Sequence, residues 1–285
     1  MDYMEDWAKN FYSKRLGSMK ELFKVEKPII GMVHLLPLPG SPAYEGWDMD
    51  LIEQKAMSDA KALVENGIDG LIVENMWDLP YFVGNAVPPE EMTAHAVMAR
   101  MVVKEFNVPV GITVIHNGGR VALAIAKAAG ASFIRDCLLT GSYLWDTGTL
   151  DHGNATEVLR RRKWLYAEGI KIFADVYKKH AVTFPGIDPE THAIWSNFYM
   201  ADALIATGRM TGQETPVELI KRIKSAAPDR PVLIGSGLSS HNAEKLMSVA
   251  DGAIVGTSIK YGGITQNPVD PKRVYELMSI VKRLR

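Results

Sequence analysis

From Pro28 to its C-terminus the chain alternates short, continuously apolar runs with amphipathic helical stretches, and that alternation leaves few folds open. The apolar runs fall at 29–34, 71–74, 110–115, 133–135, 171–176, 204–206, 232–235 and 253–256. Their Ile, Val, Leu and Ala residues are consecutive rather than spaced by two, as in strands buried on both faces of a parallel sheet. Between them Ile52, Ala56, Leu63 and Val64 make one helical face, and Ala94, Val97, Met98 and Met101 make another. Pro89, Pro216 and Pro271 stand at helix starts, where a missing amide proton costs little. Eight β-then-α units within 285 residues predict an α/β chain folded as a single (β/α)8 TIM barrel over 28–285. Residues 1–27, rich in charge and in Tyr3, Trp7, Phe11, Tyr12 and Phe23, read as an N-terminal helical extension packed on it.

An internal repeat accompanies the strands. An Asp, a small residue and three apolar residues recur at Asp69–Val73, Asp202–Ala206 and Asp251–Val255, each time where a helix gives way to a strand.

Barrel enzymes carry their chemistry at the C-terminal ends of the strands. At those positions stand His34, Glu74 and Asn75, Asn117, Asp136, Asp175 with Lys179 and His180, and two hydroxyl-bearing glycine corners, Gly235-Ser236-Gly237 and Gly256-Thr257-Ser258. Corners of this kind after the last two strands aim backbone N–H groups and hydroxyls at an anion, with helix starts such as that at Ser239-Ser240 adding to the attraction, so a phosphate-binding role is expected. Asp175, Glu74 and Lys179 are the expected catalytic groups, two carboxylates and an amine suited to acid–base chemistry. His34, Asn75, Asn117, Asp136 and His180 are expected to orient the substrate. The segment 140–154, holding Trp145, Asp146 and three glycines, reads as a mobile lid.

Composition narrows the classes. Thirty-two basic against 33 acidic residues create no global field for nucleic acid, and the tract Arg160–Lys163 reads as a solvated helix face. A hydrophobic fraction of 47% with prolines inside the longest uncharged stretch excludes a chain built of membrane spans. The single cysteine, Cys137, forms neither an internal disulfide nor a zinc cluster, and the acidic start lacks a secretory pattern, so a cytoplasmic location is expected. No metal-ligand motif is present, and no cofactor is indicated.

The motifs Lys27-Pro28-Ile29-Ile30-Gly31-Met32-Val33-His34-Leu35, Pro37-Leu38-Pro39-Gly40-Ser41-Pro42, Val73-Glu74-Asn75, Ala174-Asp175-Val176, Lys179-His180-Ala181 and Asn267-Pro268-Val269-Asp270-Pro271, with the two glycine corners, resemble the BtpA/SgcQ family from about Leu22 onward. The chain departs from the family pattern at His116-Asn117 and at Asp136-Cys137. The resemblance implies a phosphate-binding barrel of the ribulose-phosphate-binding type. It leaves two functions open. One is an isomerase, lyase or hydrolase of a small phosphorylated metabolite, either a sugar phosphate or nucleotide-derived. The other is a non-catalytic, membrane-peripheral assembly factor of the kind described in photosystem I biogenesis. A peripheral membrane surface and a second copy of the chain therefore stand beside the phosphorylated ligand as expected partners.

Overall fold

The computed structural model describes residues 15, 17–84 and 86–285. In chain order the strands are β1 (Ile29–His34), β2 (Gly70–Glu74), β3 (Val110–Thr113), β4 (Phe133–Asp136), β5 (Ser142–Trp145), β6 (Leu150–His152), β7 (Lys171–Val176), β8 (Ala181–Thr183), β9 (Ala203–Ala206), β10 (Val232–Ile234) and β11 (Gly252–Val255). Eight of them, β1-β2-β3-β4-β7-β9-β10-β11, pair in parallel, and β11 returns to β1 to close a barrel. All eight expected runs are these strands, two with the same ends and six with ends shifted by one or two residues.

The helices around the barrel are α2 (Met49–Glu65), α3 (Pro89–Glu105), α4 (Gly119–Ala129), α5 (Ala155–Trp164), α6 (Pro189–Phe198), α7 (Val217–Ala226), α8 (Ala243–Met247) and α9 (Pro271–Arg283). A short α1 (Met19–Phe23) precedes β1. Proline is the first residue of α3, α6 and α9, and Asp48, Asp188 and Asp270 cap α2, α6 and α9 by accepting amide protons of the first turn.

Two apolar layers follow from buried strands wrapped by helices. The outer one packs helix against strand, and the inner one fills the barrel with Ile30, Met32, Ile72, Phe133, Phe173, Ile205, Leu233 and Ile254. Met19 and Phe23 of α1 complete the inner layer, and the Phe23 ring meets Phe133 edge-on with centroids 5.7 Å apart. Two glycines make room for these rings. A Cβ on Gly70 would lie 2.5 Å from the Phe23 ring, and one on Gly111 would lie 2.2 Å from that of Phe133. The aromatic plug thus dictates glycine on two neighbouring strands. Of the expected N-terminal extension, residues 1–14 and 16, including Tyr3, Trp7, Phe11 and Tyr12, lie outside the described residues.

The repeated Asp has one job in all three places. Asp69 donates its amide to the carbonyl of Ile29 and accepts the amide of the same residue on its carboxylate, at 3.0 and 2.8 Å. Asp202 does the same to Ile172 at 2.7 and 2.9 Å, and Asp251 to Val232 at 2.9 Å in both directions. Each clasp joins the start of one strand to the start of its neighbour, which satisfies backbone groups at the barrel floor that the ladder alone would leave open.

The expected mobile lid is a correction. Residues 142–152 form the β5–β6 hairpin, and β8 adds antiparallel to β5 to make a three-stranded sheet. Trp145 is 2% exposed, stacks on His116 at 4.3 Å and donates its indole N–H to Asp151. Strand pairing and this burial fix the segment in place.

Candidate functional site

The apolar interior ends at the C-terminal rims of the strands, where His34, Glu74, Thr113, Arg135, Asp175 and Thr207 replace hydrocarbon with polar groups. Register places His34 directly beside Glu74, with His34 Nε2 3.7 Å from a Glu74 oxygen, and Glu74 beside Thr113. Above this layer lies a pocket of about 350 Å³. His34, Glu74, Arg135 and Lys179 line it together with both glycine corners.

The corners are held by their neighbours rather than by regular structure. Ser258 Oγ donates to the Leu238 carbonyl at 2.6 Å, joining one corner to the other, and Thr215 Oγ1 donates to the Ser236 carbonyl at 2.9 Å. Gly237 has φ +74°, and a Cβ there would lie 2.2 Å from the Gln213 carbonyl oxygen, so no other residue fits without moving backbone. Among the described residues the amides of Gly237, Leu238, Thr257 and Ser258 have no hydrogen-bond partner within the protein. The helix expected at Ser239-Ser240 begins later, as α8 at Ala243, and Thr257 opens only a 3-10 turn. Helix dipoles therefore add little there, and what the corners present to the pocket is amides and hydroxyls.

Asp175 lies beneath the pocket rather than on its wall. It is fully buried and accepts two hydrogen bonds from Arg135, at 3.1 and 3.0 Å, and one from Lys178 at 2.9 Å. Burial alone would raise its carboxyl, but the two cations outweigh burial and hold it below the usual carboxylate range. Asp175 is thus held between two cations and does not line the pocket, whereas Glu74 and Lys179 do. Lys179 is half-buried on the pocket wall; burial, with Lys178 and Arg135 nearby, brings its ammonium down to about 7. An amine free of its proton near neutrality is a competent base or nucleophile.

The expected substrate-orienting residues divide. His34 is on the pocket wall, with burial first and then Lys260 and Lys179 keeping it neutral, and its Nδ1 is buried without a partner among the described residues. His180 lines a second, adjoining pocket. Its Nε2 accepts the Thr211 amide at 3.3 Å, which leaves Nδ1 to face the Asp146 carboxylate at 3.2 Å. Asn75, Asn117 and Asp136 line neither pocket and are spent on the scaffold. Asn75 accepts the Ile115 amide at 2.9 Å. Asn117 donates to Asp151 at 2.8 Å and accepts from Asn154 at 2.7 Å. Asp136 accepts the Leu138 amide at 3.0 Å, and burial without a cation partner pushes its carboxyl up to about 7.

Sequence reasoning missed the second pocket, of about 580 Å³, whose wall carries Trp77, Leu79, Pro80, Tyr81, Ile115 and His116. It shares Glu74, Met76, Lys179 and Thr211 with the first. Its aromatic residues lie in the loop directly after Glu74, so their position after the second strand was the available signal. Among the described residues no three His, Cys, Asp or Glu side chains converge as a metal-ligand set, and no helix is long and apolar enough to cross a membrane.

Comparison with known proteins adds to this geometry. The chain is 40% identical over 269 residues to an uncharacterised protein of Pyrococcus furiosus, covering 93% of this chain and 99% of that one. It is 38% identical over 256 residues to the photosystem I biogenesis protein BtpA of Synechocystis, covering 89% and 88% of the two chains. Among solved structures it is similar to a thiamine phosphate pyrophosphorylase of Pyrococcus furiosus, with a TM-score of 0.55 and 15% identity over 90% of this chain and 96% of the other, a likeness of fold. A profile of the BtpA family matches residues 25–283, and the chain belongs to that family.

Proposed function

We propose that the protein is an enzyme acting on a small phosphorylated metabolite at the C-terminal mouth of the barrel. One observation carries the reading: two glycine corners with unbonded amides share a pocket wall with Glu74 and Lys179. Four N–H groups with the hydroxyls of Ser236 and Thr257 suit the three oxygens of a phosphate monoester. With the phosphate anchored there, the remainder of the substrate lies against Lys179, Glu74 and His34. Lys179 takes a proton from the substrate and, as the ammonium so formed, returns it to the product, or it adds to a carbonyl with loss of water; Glu74 lies beside it on the pocket wall to hold the substrate's polar hydrogens. Arg135 presents positive charge to developing negative charge while Asp175 fixes its orientation. This set serves an isomerase, a lyase or a hydrolase. The thiamine phosphate pyrophosphorylase of similar fold is itself named for a phosphate ester.

The test is a panel of sugar phosphates and nucleotides, read by thermal shift and by mass spectrometry of products. A member that both stabilises the protein and is consumed, with turnover lost in Lys179→Met while binding persists, supports the reading. Stabilisation by no phosphate ester overturns it.

A second reading, a non-catalytic assembly factor, draws on the name of the Synechocystis relative. It also draws on the outward face of the small sheet, where the cross-strand neighbours Leu150, Leu144 and Val182 are all exposed. Cellular function that survives Lys179→Met and is lost on changing these three residues to Ser would favour it.

A further inference from the structure

We propose that the phosphorylated ligand carries a flat aromatic group, bound in the lobe walled by Trp77, Leu79, Pro80, Tyr81, Ile115 and His116 while its phosphate sits at the glycine corners. The inference rests on the phosphate reading above and adds the class of ester. The two lobes contrast in chemistry. The glycine lobe offers amides, hydroxyls and charges, whereas the second presents mostly apolar surface from its rings and hydrocarbon, with Asp146, Lys178, Lys179 and His180 adding polar groups. At about 580 Å³ the second lobe is of the size that holds small organic ligands, which bind mostly to apolar and aromatic walls with a few polar groups.

The lobes meet where the chemistry is expected. Glu74, Met76, Lys179 and Thr211 line both, and the Trp77 ring stands edge-on to His34 with centroids 6.4 Å apart. A ligand spanning both therefore lays the bonds between its phosphate and its ring across Lys179 and Glu74. A bare sugar phosphate would leave the aromatic wall wet and gain nothing from it.

The wall is built in advance of any ligand. Tyr81 is fixed by donating its hydroxyl to the Met76 carbonyl at 2.6 Å, and it meets His116 edge-on at 4.8 Å. On its other side His116 stacks on Trp145, which Asp151 anchors. His116 is 5% exposed, and its Nδ1 has no partner among the described residues. A buried ring nitrogen left open among Trp77, Leu79, Pro80, Tyr81 and Ile115 is suited to a heteroatom on the edge of a ring, and it favours a heteroaromatic ester over a plain hydrocarbon one.

Calorimetric titration separates these statements, using inorganic phosphate, ribose 5-phosphate, phenyl phosphate and the 5'-monophosphates of uridine and adenosine as probes. The expected result is that at least one aromatic ester binds about tenfold or more tightly than ribose 5-phosphate, the gain typical of one stacked ring. Trp77→Ala should erase that advantage and leave ribose 5-phosphate unchanged. Leu79→Ser, at a residue already 46% exposed, should shrink it without disturbing the fold. Equal affinities for aromatic and sugar esters, both displaced by inorganic phosphate, overturn the ring lobe and leave the phosphate reading standing. An aromatic advantage that survives both substitutions also overturns the ring lobe. Binding of no ester, or binding indifferent to Gly237→Ala, overturns the phosphate reading and the present inference together.

Discussion

Ser258 Oγ donates a 2.6 Å hydrogen bond to the carbonyl of Leu238, so the corner after β11 is tied to the corner after β10. Neither corner lies in a strand or an α-helix, Thr257 and Ser258 opening only a short 3-10 turn, and the bond ties the spacing of the four open amides. Ser258→Ala should weaken binding of a phosphate ester about five- to tenfold. The fold should lose about 1–3 kcal/mol, the cost of leaving a carbonyl of the buried Leu238 without this donor. Calorimetry alongside urea unfolding separates the two effects, and an unchanged affinity would show that the corners are positioned by other contacts.

Lys179 carries its own pH signature. With its ammonium brought down to about 7, the folded protein binds fewer protons than the unfolded chain between pH 7 and the ordinary lysine range. Its contribution to stability therefore rises with pH across that window. An NMR titration of the isotopically methylated amine should give a midpoint near 7 that disappears in Lys179→Met. A midpoint near 10 would remove Lys179 from the roles of base and nucleophile.

Asp175 should behave as a buried anchor. Asp175→Asn leaves Arg135 and Lys178 buried without their anion, and the expected loss is about 3–5 kcal/mol in urea unfolding. Because the folded carboxyl lies below its unfolded value, its contribution is present above about pH 4 and is lost as pH falls through the folded value. The acid-induced loss of stability should accordingly be shallower in the variant than in the wild type.

Asp136 predicts the opposite sign. Its carboxyl is raised to about 7, so the folded protein holds a proton that the unfolded chain releases, and stability declines from about pH 4 to 7. Asp136→Asn keeps an oxygen for the Leu138 amide and removes the buried charge. It should stabilise the protein at pH 8 and change little at pH 4. Equal effects at the two pH values would contradict this account.

Phe23 can be tested independently of any ligand. Phe23→Ala removes a ring packed against Phe133 and Phe173 at the barrel floor, and the expected cost is about 3–5 kcal/mol. Phosphate-ester affinity should be unchanged, because the floor and the mouth lie at opposite ends of the strands.

The barrel was legible because its strands are buried on both faces. Runs such as Ile29–Val33 and Ile172–Ala174 carry no polar residue on either face, and the expected 29–34 and 171–176 coincide with the observed strands. The small sheet was not legible. In β5 the residues Tyr143 and Trp145 are buried and Leu144 is exposed, an alternation over four residues that reads equally as loop. Its third strand, β8, arrives only after β7. The Asp repeat was visible, but its function was not, because the partner of Asp202 is Ile172, thirty residues earlier, and register alone brings them together. At the mouth, strand-end position singled out His34, Glu74 and Lys179 on the pocket wall. It could not tell them from Asn75 and Asn117, whose polar groups are consumed by neighbouring backbone and side chains.

The aromatic wedge of α1 shapes traffic as well as packing. Met19 and Phe23 are 2% and 5% exposed, and they shut the end of the strand cylinder away from the pocket. With that end filled, no passage runs through the barrel axis among the described residues. Among these residues, a ligand of the pocket therefore has the mouth, with Lys179 on its wall, as its doorway both in and out.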